Sequence, residues 1–251
     1  MIWYPFPKVA TVLFVSLFSL SLCSGQSADT IKIKHPKKDR VFLKKFAIPA
    51  TFIALGIYGT TDNNIINHDE IKEERNDHFA KFSHKADNYL QFTPMVAVYA
   101  MDGFGLKGTH NWQQQSILLA RAQLIMMGFV IPLKKFTHVV RPDSSAFNSF
   151  PSGHTAQAFM AATFFHKEFG KKYPWVSVGM FTLAGSIGVF RMLNNRHWIS
   201  DVLAGAGFGI LSLELSYLLH KNKIRFRKGM PDALIPTYGR DGIGCTAIFR
   251  L

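Results

Sequence analysis

The residues best suited to chemistry are a histidine and an aspartate near the end of the chain. His197 and Asp201 are four residues apart, a spacing that places both side chains on one face of a helix. A carboxylate in that position can accept the Nδ1 hydrogen, fix the tautomer and leave Nε2 free as a nucleophile. The alternatives are a structural pair capping a helix, or a metal site. No third and fourth ligands stand at a convincing spacing for a metal.

A second group precedes a run of residues that predicts a helix. Ser152 suits the N-cap position, and Gly153 allows the backbone to approach a ligand closely. The free N–H groups of a helix start bind anions, and His154 could there hand a proton to a leaving oxygen. The plainer interpretation is a helix cap followed by an incidental surface histidine.

A third group consists of cations. Lys134 and Arg141 are separated by six residues, and Arg191 lies six residues before His197. A lysine point charge together with an arginine fork suits a tetrahedral dianion such as phosphate. Taken alone, Lys134 and Arg141 would read as a basic loop after an apolar helix. Together the three groups supply anion-binding, acid and nucleophilic parts, each of them once.

In their order and spacing these motifs resemble the type 2 phosphatidic acid phosphatase superfamily. That superfamily includes lipid phosphate phosphatases, bacterial acid phosphatases and vanadium haloperoxidases. The resemblance covers residues from about 90 to 219, and the chain is similar to signal-bearing Bacteroidetes members. Phe190 departs from the pattern, because a serine usually precedes the arginine of the last motif. We therefore expect one hydroxyl donor to the phosphate to be missing.

The resemblance implies a role for each motif residue. His197 would form a phosphohistidine, with Asp201 orienting it, while His154 protonates the leaving group and later activates water. Because fixed cations and dipoles can stabilise the charge, we expect neither a metal nor a cofactor. The expected phosphate-binding residues are Lys134, Arg141, Ser152, Gly153 and Arg191.

The amino-acid composition limits the classes of molecule that the protein is expected to bind. Hydrophobic residues make up 48% of the chain and charged residues 18%, and the net charge is +13. The mean hydropathy of +0.09 is high for a soluble domain without being extreme. The positive excess suits a membrane surface or an acidic substrate. No nucleic-acid motif is present, so no nucleic-acid partner is expected, and no obligate protein partner is evident.

Residues 1–25 have the pattern of a signal peptide. Lys8 supplies a positive charge, a short apolar run covers residues 9–22, and small or polar residues follow. An uncleaved membrane anchor is the alternative. Cleavage would remove Cys23 and leave Cys245 as the single thiol, so no internal disulfide is expected.

The rest of the chain predicts an all-α fold with about five to six apolar helices, since almost no segment alternates as a strand does. Residues 26–88 form a basic and charged region with one short apolar segment over 46–58, and residues 89–220 form the helical bundle. Residues 221–251 form a basic tail that is compatible with a short hairpin. Gly205 and Gly209 would let two helices approach closely.

The apolar runs predict a bundle integrated into a bacterial inner membrane. All the motifs would then open on one face of the membrane, and the basic loops would lie on the opposite face. By the positive-inside rule the basic loops are cytoplasmic, so the motifs face the periplasm. Expected substrates are lipid A phosphate, undecaprenyl pyrophosphate, and phosphatidylglycerol phosphate or phosphatidate. A soluble periplasmic acid phosphatase, with the same motifs, is the main alternative. A vanadate-bound haloperoxidase, usually far longer, and a scaffold with vestigial motifs are weaker ones.

Overall fold

The computed structural model describes residues 38–61, 68–221, 233–239 and 242–248. Residues 1–37, which include the predicted signal peptide, lie outside these ranges.

The described residues form a helical bundle followed by one hairpin. The predicted all-α body is confirmed, and the strand pair lies where the sequence was compatible with a hairpin, with Gly239 opposite Gly242. The elements are α1 Lys38–Tyr58, α2 His68–Phe79, α3 Asp87–Leu90, α4 Thr93–Gly103, α5 Trp112–Thr137, α6 Gly153–Phe169, α7 Pro174–Leu193, α8 Ile199–Lys221, β1 Ala233–Gly239 and β2 Gly242–Ile248.

Among the described residues, three helices are long and apolar enough to cross a membrane. They cover Trp112–Thr137, Pro174–Leu193 and Ile199–His220. The sequence predicted five to six apolar helices, and the difference is one of length. Helix α4 has 11 residues, fewer than the roughly 17 to 25 that a span needs, and α6, with 17, only reaches the lower limit of that range.

Helix α6 lies at the centre of the bundle. Most of its residues are buried, and it packs against α4, α7 and α8. Phe164, Phe165 and Phe169 are fully buried on it and form much of the hydrophobic core. Because this buried helix begins at Gly153, the second motif stands on the most constrained element of the fold.

The contact between α6 and α8 depends on two glycines. A Cβ atom on Gly205 would lie 2.5 Å from the carbonyl oxygen of Ser152, and one on Gly209 would lie 2.2 Å from that of Ala156. Real Cβ atoms do not approach this closely, so only glycine fits at either position. The predicted close helix approach is confirmed.

Helix α1 belongs to the same packed body. It lies along α8, and a Cβ atom on Gly207 would meet the Pro49 carbonyl oxygen at 2.7 Å. The region that the sequence set apart as residues 26–88 therefore supplies a helix to the bundle. Helix α2, by contrast, has no buried residues, as its charged sequence predicts.

The close packing at Gly209 predicts that a methyl group added there lowers the stability of the fold, whereas one added at an open glycine does not. Gly209→Ala should lower the melting temperature of the detergent-solubilised protein, because the new methyl group forces α6 and α8 apart at a cost of about 1–3 kcal/mol. Gly179→Ala is the matched control, since no atom lies within 4 Å of its added Cβ. Equal melting temperatures for the two variants in thermal unfolding would contradict the packing argument.

Candidate active site

His197 lies in the loop between α7 and α8 and is 3% exposed. Its Nδ1 atom is 3.4 Å from Asp201 Oδ2 and 3.4 Å from Ser149 Oγ, somewhat longer than a typical hydrogen bond. The Ser149 hydroxyl donates to Asp201 Oδ2, which also accepts from the backbone N–H of Trp198 at 2.8 Å. Two acceptors therefore face Nδ1, an arrangement that favours the Nδ1–H tautomer and leaves Nε2 unprotonated.

The protonation state of His197 suits the same role. Burial lowers the pKa of His197 below its ordinary value, and the charges of Lys134 and Arg191 act in the same direction. Asp201 raises the pKa through its hydrogen bond and its charge, but the net change is downward. The imidazole is accordingly neutral at pH 7, with a lone pair on Nε2 for nucleophilic attack.

Arg191 is a buried cation whose Nε donor is left without a partner among the described residues. Its Nη1 donates to Asp87 Oδ2 at 2.7 Å, while its Nε is buried and has no hydrogen-bond partner among the described residues. A buried donor without a partner is rare and costs free energy. A bound anion would satisfy it.

Lys134 and Arg141 are fixed by one short loop. The Lys134 ammonium donates to the carbonyl oxygen of Asn148 at 2.8 Å and to that of Ser149 at 3.3 Å. Arg141 Nε donates to Asn148 Oδ1 at 3.0 Å. The stem of Lys134 lies beside Gly153, where an added Cβ would be 3.9 Å from its Cε. The first cation thus lies at the start of α6.

Ser152 links the start of α6 to Asp201, the partner of His197. It is fully buried, it caps α6 as predicted, and its Oγ accepts from Thr155 Oγ1 at 2.9 Å. Its backbone N–H donates to the carbonyl oxygen of Asp201 at 2.9 Å. The first N–H groups of α6, beginning at Gly153, have no partner within the helix and can face an anion. A direct contact between Ser152 and phosphate stays a prediction.

His154 completes the group of motif residues. Its Nε2 donates to Asn88 Oδ1 at 2.8 Å. Burial, followed by the charge of Arg191, lowers the pKa of His154 to about 4. His197 and Lys134 also act on this ring, so the structure brings residues of all three motifs together around one space.

Four contributing residues were missed by the sequence analysis. Asn148 and Ser149 support Lys134, Arg141 and Asp201, while α3 contributes Asp87 and Asn88. In the sequence, each of these two pairs of polar residues is flanked by apolar residues, and this is the signal that could have identified them. Nothing local in either pair indicates which side chain it contacts.

Phe190 has a packing role at the position where the resemblance expects serine. Its ring stacks on Phe82 with the centroids 5.8 Å apart, which anchors the segment before α3 to the end of α7. Farther out, Arg196 pairs with Asp143 at 3.0 Å, partly exposed to solvent.

A cavity of about 340 Å³ lies between α2 and the end of α7 and reaches His197. Arg75 Nε donates to the carbonyl oxygen of Leu193 at 2.9 Å and holds α2 over this space. The apolar lining includes Ile71, Val189, Met192, Trp198 and Ile199. An organic group could therefore lie beside the histidine.

The described residues contain no group of three or more His, Cys, Asp or Glu side chains that could hold a metal ion.

Residues 112–225 match the family model described as the PAP2 superfamily. A lipid A 1-phosphatase of Porphyromonas gingivalis is 45% identical over 150 residues, which are 59% of this chain and 34% of that protein. A lipid A 1-phosphatase of Rhizobium johnstonii is 42% identical over 67 residues, 26% of this chain and 25% of that protein. The chain thus matches well under half the length of either curated relative.

Two solved structures are also similar. The crystal structure of Aquifex aeolicus LpxE has a TM-score of 0.46 at 23% identity, covering 60% of this chain and 94% of that one. The first transmembrane PAP2 type phosphatidylglycerolphosphate phosphatase from Bacillus subtilis has a TM-score of 0.39 at 19% identity. This second match covers 88% of this chain and 98% of that one.

The cluster of cations predicts an anion site that can be tested without any reaction. Orthovanadate, a tetrahedral anion, should raise the melting temperature of the wild-type protein. Lys134→Met should weaken that effect by about tenfold in apparent affinity, the value of one charge-assisted hydrogen bond. Lys135→Met removes the same charge from an exposed neighbour and should change little. Equal losses in the two variants would indicate only a general effect of charge.

Proposed function

Because residues 112–225 belong to the PAP2 superfamily, we propose that this protein is a phosphoric ester hydrolase acting on a phosphorylated lipid. The observation that carries the proposal is the position of His197. It is backed by Asp201 and lies among the charges of Lys134 and Arg191. The names of the curated relatives support lipid A 1-phosphate as the first substrate to test.

The first half of the reaction transfers the phosphoryl group to the histidine. Nε2 of His197 attacks phosphorus, the N–P bond forms, and the bond from phosphorus to the leaving oxygen breaks. His154 gives a proton to that oxygen, while Asp201 stabilises the imidazolium formed at His197. The dianionic phosphate favours protonation of His154, whose low pKa in the empty site comes from burial and then from Arg191.

The second half releases inorganic phosphate. His154, now neutral, accepts a proton from a water molecule whose oxygen attacks phosphorus. The N–P bond breaks, His197 regains its neutral ring, and phosphate leaves. Atoms and charges balance over the two steps, since one water is consumed for each phosphate released.

The negative charge in both transition states is stabilised by groups whose positions are fixed before the reaction. Lys134, Arg141 and Arg191 supply three cations, and the start of α6 supplies backbone N–H groups. We propose that these replace a metal ion. Full activity in EDTA is therefore expected, and loss of activity restored by a divalent cation would contradict this part of the proposal.

We propose that the bundle is integrated into a membrane. Three helices meet the length and apolarity required of a span, and Leu124 is exposed in the middle of α5. Aromatic side chains stand exposed near both ends of the bundle, as at membrane interfaces: Trp112, Trp175 and Phe104 at one end, Phe136 and Phe147 at the other.

The direction of the helices supports an outward-facing site. Helices α5 and α7 end at the motifs, whereas α6 and α8 begin there. The opposite end carries Lys167, Lys171 and Lys172, so the positive-inside rule places it in the cytoplasm. The site would then face the periplasm across a bacterial inner membrane.

A soluble periplasmic acid phosphatase remains the second candidate, because the three motifs alone serve either protein. The two differ in where the activity is recovered. Extraction without detergent should leave the activity with the membranes, and full recovery in the soluble fraction would replace the lipid proposal with the soluble one.

Substrate preference is tested with purified lipids. Phosphate release should be faster from lipid A 1-phosphate than from undecaprenyl pyrophosphate, phosphatidylglycerol phosphate, phosphatidate or p-nitrophenyl phosphate. The cavity beside His197 can hold part of a large organic group, which favours each lipid over p-nitrophenyl phosphate. The names of the curated relatives are the reason to expect lipid A 1-phosphate to be the fastest of the lipids. His197→Ala should release none from any substrate, and a fastest rate with p-nitrophenyl phosphate would contradict a lipid substrate.

The Asp201 contact predicts a change in both rate and pH profile. Asp201→Asn should lower kcat by tenfold up to about 10⁴-fold, because the tautomer of His197 is no longer fixed. Since a low pKa keeps His197 neutral, the acidic limb of wild-type kcat/KM should lie below the ordinary histidine range. Asp201 raises that pKa, so its loss should move the acidic limb to still lower pH.

Rates for wild type and Asp201→Asn must be measured over the same pH range with one substrate, so that the titration of the substrate cancels. An acidic limb that moves upward, or an unchanged kcat, would contradict the proposed pair.

A further inference from the structure

Helix α3 touches two motif residues although it lies outside the segment that matches the family model. Asp87 is 1% exposed and accepts from Arg191 Nη1 at 2.7 Å. The next residue, Asn88, accepts from Nε2 of His154 at 2.8 Å through Oδ1. One short turn therefore holds both a phosphate-binding cation and the proposed acid.

This turn is firmly attached to the end of α7. Asn194 Nδ2 donates to the carbonyl oxygen of His84 at 2.8 Å, and the His84 N–H donates back to Asn194 Oδ1 at 3.0 Å. The ring of Phe82 stacks on Phe190, the residue before Arg191. On the other side of the turn, Gln91 Nε2 donates to the carbonyl oxygen of Asn88 at 2.8 Å.

We infer that Asp87 and Asn88 are positioning residues of the active site, and this inference rests on the proposed phosphatase function. Asp87 fixes the guanidinium of Arg191 so that its Nε, which has no partner among the described residues, is available to the phosphate. Asn88 fixes the ring and the tautomer of His154.

The tautomer follows from the chemistry of the amide. Asn88 Oδ1 can only accept a hydrogen bond, so Nε2 of His154 carries the hydrogen. Nδ1 is then the ring nitrogen that can exchange a proton with the leaving oxygen and with water. Because an amide is neutral, Asn88 orients the ring without favouring its charged form.

Burial and the charged groups near His154 determine its charge. Burial, and then the cations, favour the neutral ring, and the carboxylate of Asp87 favours the protonated one. The groups that face the ring are Arg191 from α7, Lys134 from α5, His197 from the loop before α8, and Asp87 with Asn88 from α3.

Asn88→Asp tests the link to His154. A carboxylate at this position favours protonated His154, so the basic limb of the kcat profile should move up by about one pH unit. Asn88→Ala should lower kcat by about tenfold with little change in KM. The matched control is Asn76→Asp, which adds the same charge on the exposed face of α2. A basic limb that stays in place, or moves equally in the control, would overturn the role of Asn88.

Asp87→Asn tests the contact with Arg191. It distinguishes the effect of positioning the guanidinium from the effect of the Asp87 charge on anion binding. The variant gains one net positive charge, so electrostatics alone predicts tighter binding of orthovanadate. If Asp87 positions Arg191, binding should instead weaken by about tenfold, the value of one charge-assisted hydrogen bond. Asp87→Glu should restore part of it, and Asp77→Asn on exposed α2 is the control for charge.

Each outcome for Asp87 decides the matter. Tighter binding by Asp87→Asn would mean that Asp87 competes with phosphate for Arg191, and it would overturn the inference. If Asp87→Asn does not fold, the comparison passes to Asp87→Glu, which keeps the charge but displaces the carboxylate. Weaker binding than in wild type then supports positioning, and equal or tighter binding overturns it. Binding of orthovanadate needs no turnover. A wild-type protein that binds it but releases no phosphate would refute the proposed function and, with it, the role of Asn88, while the positioning of Arg191 by Asp87 for anion binding would still be supported.

Discussion

The close approach of α6 and α8 is the constraint on which the rest of the site depends. Gly205 and Gly209 let the two backbones come within a distance that excludes any side chain. Because both helices begin at the same end of the bundle, their contact brings the Ser152 N–H to the Asp201 carbonyl at 2.9 Å. The start of one helix, where we propose that the phosphate binds, is thereby held against the start of the other, which carries the partner of His197.

The second constraint is electrostatic, because cationic side chains that repel one another lie close together in a partly buried site. Arg191 is paired by Asp87, and Lys134 is held by backbone carbonyl oxygens. His154 and His197 stay neutral because burial and these cations lower the pKa of each ring. In the proposed reaction an arriving phosphate would meet neutral imidazoles and oriented donors, and little would have to rearrange first.

Much of this arrangement follows from local features of the sequence. The helical body, the cap at Ser152 and the glycine contact could be predicted because each depends on residues near in sequence or on one simple spacing. The contributions of Asp87 and Asn88 could not, since they act on Arg191 and His154 from 104 and 66 residues away. Their side chains are ordinary for a helix start, and only the folded chain brings them to the motifs.

The central claim is that His197 becomes covalently phosphorylated during turnover. The direct measurement is rapid quenching of the full-length protein with substrate labelled in the transferred phosphate, followed by mapping of the labelled peptide. The account predicts an acid-labile, alkali-stable phosphoramidate on His197 in wild type, accumulating further when water attack is slowed in His154→Ala with an activated ester. Label on another residue, or phosphate release by His197→Ala at the wild-type rate, would contradict it.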